Sequence, residues 1–368
     1  MTKSPPHATR LAQIVLPAAA LDETLAFFTS RLGFRVAAIF PADSPATVVL
    51  AGHGLAIRLE RRGQGAPGVI RLPCADPAAI GSGTTTLYAP NGTRIDLVPL
   101  ETPVAIPPLD ARVVVSRAEG GAEWGTGRAG MRYRDLIPGR LGGRFIASHI
   151  AIPGGGPVPD YVHFHKVRFQ MIYCRKGWVR VVYEDQGPPF VMNAGDCVLQ
   201  PPEIRHRVLE SSPGLEVIEV GCPALHETLA DPDMTLPNGV VDPSRDFGGQ
   251  RFVRHEVAKA TWRPWRWAGF DCRDIGMTAA TDGLAGVHVV RPAGAAEVPR
   301  WRHDGEFFFM VVLEGGTTLQ VDGAAESRLA PGDSFTVPAG TVHALRDCTR
   351  DLELLEVTLP AGIGAARA

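Results

Sequence analysis

The sequence lacks paired cysteines, long apolar runs and a strong excess of either charge. Its six cysteines lie far apart without a CxxC pair, which favours reduced thiols over a disulfide framework. No apolar run approaches the ~20 residues of a membrane helix, and the polar start MTKSPPHATR is unlike a signal peptide. We therefore expect a cytoplasmic protein without a membrane partner.

The net charge of -2 is small, and Lys and Arg are spread along the chain. Such a chain has no long-range attraction for phosphate backbones, so we do not expect a nucleic-acid partner. The hydrophobic fraction of 45% and the charged fraction of 21% are typical of soluble globular proteins. A length of 368 residues predicts two or three domains.

An internal repeat organises the second part of the chain. The segment ASHIAIPGGG returns as AGVHVVRPAG, and AGDCVLQPPEIRH returns as PGDSFTVPAGTVH. The offset stays between 137 and 139 residues, as from Arg134 to Arg273 and from His206 to His343. Within each copy the apolar runs are short and separated by Gly and Pro. This pattern predicts two β-barrels with the same element order.

The residues before the repeat have a different pattern. LAQIVLP is an apolar run, LDETLAFFTSRLGF has apolar residues at helical spacing, and ATVVLA, LAIRLE and TRIDLVP are short β-rich runs. The fold class is therefore mainly β, with two tandem barrels preceded by a small α+β module. We predict a βαβββ module, a linker, a first barrel, a connector and a second barrel over residues 1–102, 103–130, 131–230, 231–260 and 261–368.

Three histidines of the first copy are spaced as metal ligands. Side chains alternate along a strand, so His163 and His165 point the same way. Gln170 lies five residues after His165, which is enough for a turn into the next strand. His206 comes from a separate strand beside a Pro-Pro turn. Three imidazoles and a carbonyl oxygen would make a site with open coordination positions for a divalent transition metal.

These residues resemble the two motifs of the cupin superfamily, which match at His163, His165, Gly177, Gly195, Pro201 and His206. The resemblance implies cupin barrels and a metal bound by the three histidines together with the residue at position 170. Cupins usually have glutamate where Gln170 stands and glycine where Glu203 stands. An amide removes one negative charge, so Gln170 is either a weak ligand or a hydrogen-bond partner of a metal-bound water.

The second copy has Trp301, His303, Phe308 and His343 at the four ligand positions. Two histidines without a carboxylate rarely hold a catalytic metal. We expect a structural barrel or a metal-free site for an apolar ligand. An alternative makes Glu306 an off-register third ligand.

Residues 11–100 are similar to a single module of the vicinal oxygen chelate group, which includes glyoxalases and bleomycin-resistance proteins. The similarity lies in IVLPAAALDETLAFFTSRLGF and GTRIDLVP. That group usually has a metal-binding His in its first strand and a Glu in its last, where this chain has Gln13 and Asp96. We therefore expect a packing or dimerisation role for this module.

Strand alternation in the first copy predicts the walls of a substrate pocket: Tyr161, Arg168, Ile172, Tyr183, Gln200 and Val208. Aromatic and aliphatic walls suit a small cyclic or enolic acid. Glu203, beside the His206 turn, is the predicted general base.

Three functions stay open, because one fold serves many chemistries. Bicupins of this pattern are similar to dioxygenases of the quercetin and gentisate kind. This implies an oxygenase with Fe(II) that acts on a small aromatic, enolic or dicarbonyl compound. The second function is a lyase, isomerase or hydrolase using Zn, Mn or Ni as Lewis acid; Cu is a further possible metal. The third is a ligand-sensing or scaffold protein. We expect a small-molecule substrate and a homodimer.

Overall fold

The computed structural model describes residues 11–120, 123–294 and 297–368. It divides the chain into two compact units, Met1–Pro103 and Val104–Ala368. Strands dominate both units, so the mainly β fold class predicted from the sequence is confirmed. None of the described helices is both long and apolar enough to span a membrane.

The N-terminal unit contains two consecutive β-α-β arrangements. The first consists of β1 (Gln13–Pro17), α1 (Leu21–Ala26) continued by a π-helical turn (Phe27–Arg31), β2 (Arg35–Phe40), β3 (Thr47–Gly52) and β4 (Leu55–Glu60). The second consists of β5 (Val69–Cys74), α2 (Pro77–Gly81), β6 (Thr86–Tyr88) and β7 (Arg94–Pro99). The two sheets have the orders β1-β4-β3-β2 and β5-β7-β6.

The predicted βαβββ order is present in the first arrangement, but the shorter second arrangement was not predicted. Its strand β5 contains Arg71 and Pro73, which obscure the apolar pattern of a strand. Gln13 lies exposed on β1, whereas Asp96 lies on β7 and accepts a 3.1 Å hydrogen bond from Arg94. The two residues therefore belong to different sheets.

The first barrel follows strand β8 (Val114–Ser116) in the chain. It contains β9 (Gly125–Thr126), a 3₁₀ turn (Arg128–Gly130), β10 (Arg132–Asp135), α3 (Arg140–Gly143), β11 (Ile146–Ile152), β12 (Gly156–Pro157), β13 (His163–His165), β14 (Phe169–Lys176), β15 (Trp178–Tyr183), β16 (Phe190–Asn193), β17 (Cys197–Leu199), β18 (His206–Ser211), β19 (Leu215–Cys222), β20 (Thr228–Ala230) and β21 (Val253–His255). One sheet has the order β21-β17-β14-β19-β11-β10-β9, and the facing sheet has the order β16-β15-β18-β13-β20.

The second barrel repeats this arrangement. After a 3₁₀ turn (Val257–Lys259) it contains β22 (Arg263–Pro264), β23 (Phe270–Asp274), α4 (Met277–Ala280), β24 (Gly286–Pro292), β25 (Val298–His303), β26 (Phe307–Glu314), β27 (Thr317–Val321), β28 (Ser327–Leu329), β29 (Ser334–Thr336), β30 (His343–Arg346), β31 (Glu353–Leu359) and β32 (Ala365–Arg367). Its sheets have the orders β22-β23-β24-β31-β26-β29-β8 and β28-β27-β30-β25-β32.

The two copies exchange a strand. Strand β8 precedes the first copy but pairs with β29 of the second barrel, while β21 precedes the second copy but pairs with β17 of the first. The residues predicted as a linker (103–130) and as a connector (231–260) thus each contribute a strand to the opposite barrel. The exchange is favourable because β17 and β29 would otherwise be edge strands. Pairing with β21 and β8 satisfies their free backbone donors and acceptors.

A shared apolar core joins the two barrels. One buried cluster takes side chains from both seven-stranded sheets, among them Phe169, Ile218, Phe309 and Val357. Within this cluster the rings of Phe145 and Phe307 are stacked with centroids 4.1 Å apart. Both faces of β26 are covered, which explains its nearly continuous apolar sequence FFFMVVLE.

Replacing Phe307 by alanine tests this core. The ring is only 1% exposed, so Phe307→Ala leaves a cavity and is expected to lower the free energy of unfolding by about 3 to 5 kcal/mol. Chemical denaturation measures the change. The control Leu225→Ala removes a side chain that is 79% exposed and should cost less than about 0.5 kcal/mol. Equal effects of the two changes would contradict the shared core.

Candidate metal centre

The three histidines of the first copy meet inside the barrel. His163 and His165 lie on β13 with their side chains on the same face, and both are buried. His206 begins β18 and stands directly opposite His163 in the pairing of the two strands. The ring centroids are 4.2 Å apart for His163 and His206, and 5.3 Å apart for His163 and His165. One ring nitrogen of each lies within 4.8 Å of the other two.

Backbone carbonyls fix the tautomer of all three rings. The Nδ1 atoms of His163, His165 and His206 lie 2.7, 3.1 and 2.9 Å from the carbonyl oxygens of Tyr161, Glu227 and Ile204. A carbonyl oxygen only accepts, so each Nδ1 donates and each Nε2 carries its lone pair. This arrangement, with Nδ1 tied to a carbonyl, is typical of metal-ligating histidines. The donor set therefore fits a divalent transition metal.

Burial keeps these imidazoles neutral. Removal from water lowers the pKa of His163, lowers that of His165 to about 3, and holds that of His206 well below its ordinary value. The positive charge of Arg128 lowers all three further. Metal binding requires the neutral form, so no proton has to be displaced from these rings at neutral pH.

Arg128 is a site residue that the sequence analysis missed. Its Nη2 lies 3.1 Å from Nε2 of His163, and it forms an ion pair with the fully buried carboxylate of Asp160. Because Nε2 carries the lone pair, the guanidinium donates to it. A metal on this nitrogen would replace that hydrogen bond. The recurrence of arginine in the repeat, at Arg128 and Arg266, was the available signal.

Gln170 lies on β14 and is buried beside the same cavity. Its Nε2 donates a 2.6 Å hydrogen bond to Oε1 of Glu219 on β19. Glu219 belongs to neither motif and was also missed. Its recurrence as Glu356, 137 residues later, was the available signal.

A cavity of about 570 Å³ opens beside the imidazoles. Four of the six predicted wall residues line it, namely Ile172, Tyr183, Gln200 and Val208. Further apolar walls come from Ile146, Ile150, Val181, Met192 and Val217. Such a cavity suits a small, largely apolar ligand with few polar groups.

Two predicted wall residues lie elsewhere. Tyr161 is 46% exposed and does not line the cavity. Arg168 donates to both oxygens of Glu306, at 2.9 and 3.1 Å. Strand alternation failed for both because each lies in a loop beside a strand end, where the period of two does not hold. Glu306 also accepts from Arg144, so it joins the two barrels and is not a metal ligand.

The prediction of Glu203 as general base is corrected by its place in the turn. Glu203 is exposed and does not line the cavity, and its backbone N–H donates to the carbonyl of His165 at 2.9 Å. Its φ of +62° lies in the left-handed region, where glycine has no steric penalty. This conformation accounts for the glycine that the cupin motif has here.

Aromatic rings fill the corresponding place in the second barrel. Trp301 contacts Phe308 and His343, with centroids 5.4 and 4.6 Å apart. His303 uses both nitrogens, because Nε2 lies 2.9 Å from the carbonyl of Val337 and Nδ1 accepts from the N–H of Gly305. The four residues at the ligand positions of the second copy thus pack together as part of the barrel's core.

Residues 287–358, within the second barrel, match the family model described as Cupin domain. Both barrels have the cupin fold. No curated protein has a matching sequence.

Several solved structures resemble the two-barrel fold of this chain. Bacillus subtilis oxalate decarboxylase, described with its Mn(II) centres, is 16% identical with a TM-score of 0.52, and the match covers 73% of this chain and 82% of that chain. The formate complex of Lactobacillus farciminis oxalate decarboxylase is 15% identical with a TM-score of 0.50, covering 71% and 91%. Escherichia coli protein Ylba is 10% identical with a TM-score of 0.52, covering 70% and 94%. At these identities the likeness establishes the fold alone.

The neutral histidines predict a pH dependence of stability for the metal-free protein. In the unfolded chain the rings titrate near ~6.5, but in the folded protein their pKa values are lowered, to about 3 for His165. The unfolded state therefore binds more protons below pH ~6.5, and stability should fall from there towards the lowered pKa values. The Tm in EDTA between pH 7.5 and 4 measures this. His206→Gln should flatten the slope, and an unchanged slope would contradict the assignment.

Glu203→Gly tests the turn beside His206. Glycine relieves the left-handed backbone but adds freedom to the unfolded chain, so stability should be unchanged or rise by up to about 1 kcal/mol. Metal content and turnover should stay at the wild-type level, because the side chain is outside the cavity. Loss of turnover with the Tm and metal content preserved would restore Glu203 as the base.

Proposed function

We propose that the first barrel is a metal-dependent oxygenase site for a small aromatic, enolic or dicarbonyl compound, with Fe(II) as the metal. The observation that carries the proposal is the convergence of three neutral imidazoles on a mostly apolar cavity. A bound redox metal with open positions would supply dioxygen chemistry and polarise a substrate carbonyl.

His163, His165 and His206 would hold the metal through Nε2. Their Nδ1–H groups donate to backbone carbonyls, which fixes the plane of each ring before any metal binds. Gln170 would provide an amide oxygen or a hydrogen bond beside them. Arg128 would give up its bond to His163 and could then donate to an anionic oxygen of the substrate.

Tyr183 supports the binding of an enolic or carbonyl oxygen. Its hydroxyl oxygen accepts a 3.0 Å hydrogen bond from Nε2 of Gln200, and burial raises its pKa. The hydroxyl therefore keeps its proton at Oη and can donate it in a hydrogen bond to the substrate. The aliphatic walls lower the local polarity around this hydroxyl, which strengthens polar contacts there.

A second candidate is a non-redox metalloenzyme such as a decarboxylase. The likeness in fold to two oxalate decarboxylases favours it. The same imidazoles would then hold Mn or another Lewis-acid metal, and turnover would not require dioxygen.

We also propose that the N-terminal unit is non-catalytic and serves in packing or dimerisation of the chain. Gln13 and Asp96, which stand where the vicinal oxygen chelate group has ligands, lie in separate sheets. This supports a role other than metal binding for that pair.

Metal analysis of the purified protein tests the proposal first. Wild type should contain about one equivalent of iron by inductively coupled plasma mass spectrometry, and the His163→Ala/His206→Ala variant should contain none. Oxygen uptake is then measured with catechols, salicylates and β-dicarbonyls, and it should be absent in the double variant.

The second barrel provides the matched control. His343→Ala removes a buried histidine at the position equivalent to His206 and should leave the metal content unchanged. Zinc or manganese with turnover that needs no dioxygen would favour the second candidate. Absence of metal in wild type, even after reconstitution, would overturn the metalloenzyme proposal.

A further inference from the structure

We propose that Glu219, which lies outside both cupin motifs, is a positioning residue for the metal site. It turns the oxygen of Gln170 towards the site and supplies the negative charge that the amide lacks. The Gln170–Glu219 pair would then replace the single glutamate that most cupins have. This inference rests on metal binding by the first barrel, as proposed above.

The two side chains meet across neighbouring strands. In the antiparallel pairing of β14 with β19, Gln170 stands opposite Gly221, and Ile172 stands opposite Glu219. Gln170 and Glu219 are therefore diagonal neighbours on one face, within reach of long side chains. Both line the cavity that contains the three imidazoles.

The contact decides the orientation of the amide. Oxygen and nitrogen of a glutamine side chain are told apart by their partners. A carboxylate only accepts hydrogen bonds, so the atom 2.6 Å from Oε1 of Glu219 must be the Nε2 of Gln170. The amide oxygen then faces away from Glu219, and no described residue donates to it. Gln170 is thus held with a free oxygen beside a histidine cluster.

Charge provides an independent observation. Three neutral imidazoles and an amide offset none of the charge of a divalent cation. In the second barrel, the equivalent Glu356 is fully buried and is paired with Arg266 at 2.5 Å. Arg128 stands at the repeat position of Arg266, 138 residues earlier, but it is paired with Asp160. Among the described residues no cation lies within ion-pair distance of Glu219.

Glu219 is half-buried at the wall of the cavity, and a carboxylate there attracts a positive charge that would offset its own. In the second barrel, the arginine supplies that charge permanently, and the cavity is filled with rings. In the first barrel, a metal would supply it. The comparison between the two copies therefore indicates that Glu219 is kept for a bound cation.

Charge-exchange variants test the inference through metal binding, with Mn(II) as the probe and isothermal titration calorimetry of the full chain as readout. Glu219→Gln should bind Mn(II) about 10 to 100 times more weakly, as is typical when a partner of a ligand is lost. The double variant Gln170→Glu/Glu219→Gln puts the carboxylate at the ligand position and should recover the affinity to within about threefold.

Two further measurements separate a metal role from a structural one. The Tm of each variant in EDTA shows whether the fold persists. Glu210→Gln changes a half-buried carboxylate on β18 that is paired with Arg180 and does not line the cavity, so it should not alter Mn(II) binding. In the Mn(II) form, the electron paramagnetic resonance spectrum should change in Glu219→Gln and not in Glu210→Gln.

Wild-type affinity in Glu219→Gln, or a double variant that does not recover, would overturn the role of Glu219 while leaving the proposed function intact. Weakened and recovered binding without any turnover would support Glu219 and contradict the oxygenase. Absence of Mn(II), Fe(II) and Zn(II) binding in wild type would overturn both.

Discussion

The packing of the two seven-stranded sheets against each other is the interaction on which both barrels depend. Each sheet covers an apolar face of the other, so neither copy has to bury that face alone. The exchanged strands β8 and β21 extend this dependence to the backbone. Arg168 and Glu306, which hold equivalent positions in the repeat, pair across the same junction.

The two barrels share one framework but have different interiors. The first barrel keeps three histidines beside a cavity, whereas Trp301 and Phe308 occupy the corresponding volume of the second. The Cupin domain match nevertheless falls on the second barrel. That match therefore does not depend on the three histidines of the first barrel.

Burial governs the electrostatics of the first barrel. It keeps the imidazoles neutral. Their Nδ1–H groups donate to backbone carbonyls, so the lone pairs on Nε2 point into the site. Two charged groups of opposite sign lie beside this neutral cluster. Arg128 would compete with a cation at His163, and Glu219 would attract one through Gln170, if the first barrel binds a metal as proposed. Their balance would set the affinity for a metal.

The sequence by itself determined the barrel architecture, the histidine pair on β13 and the inferior ligand set of the second copy. These follow from local rules, because alternation along a strand and repeat spacing need no knowledge of distant contacts. Only the tertiary structure decided that Glu203 faces outward, that Arg168 joins the barrels, and that Arg128 and Glu219 reach the site. The first outcome depends on the backbone conformation of one turn, and the others depend on which side chains from separate strands come into contact. Spacing along the chain does not determine such contacts.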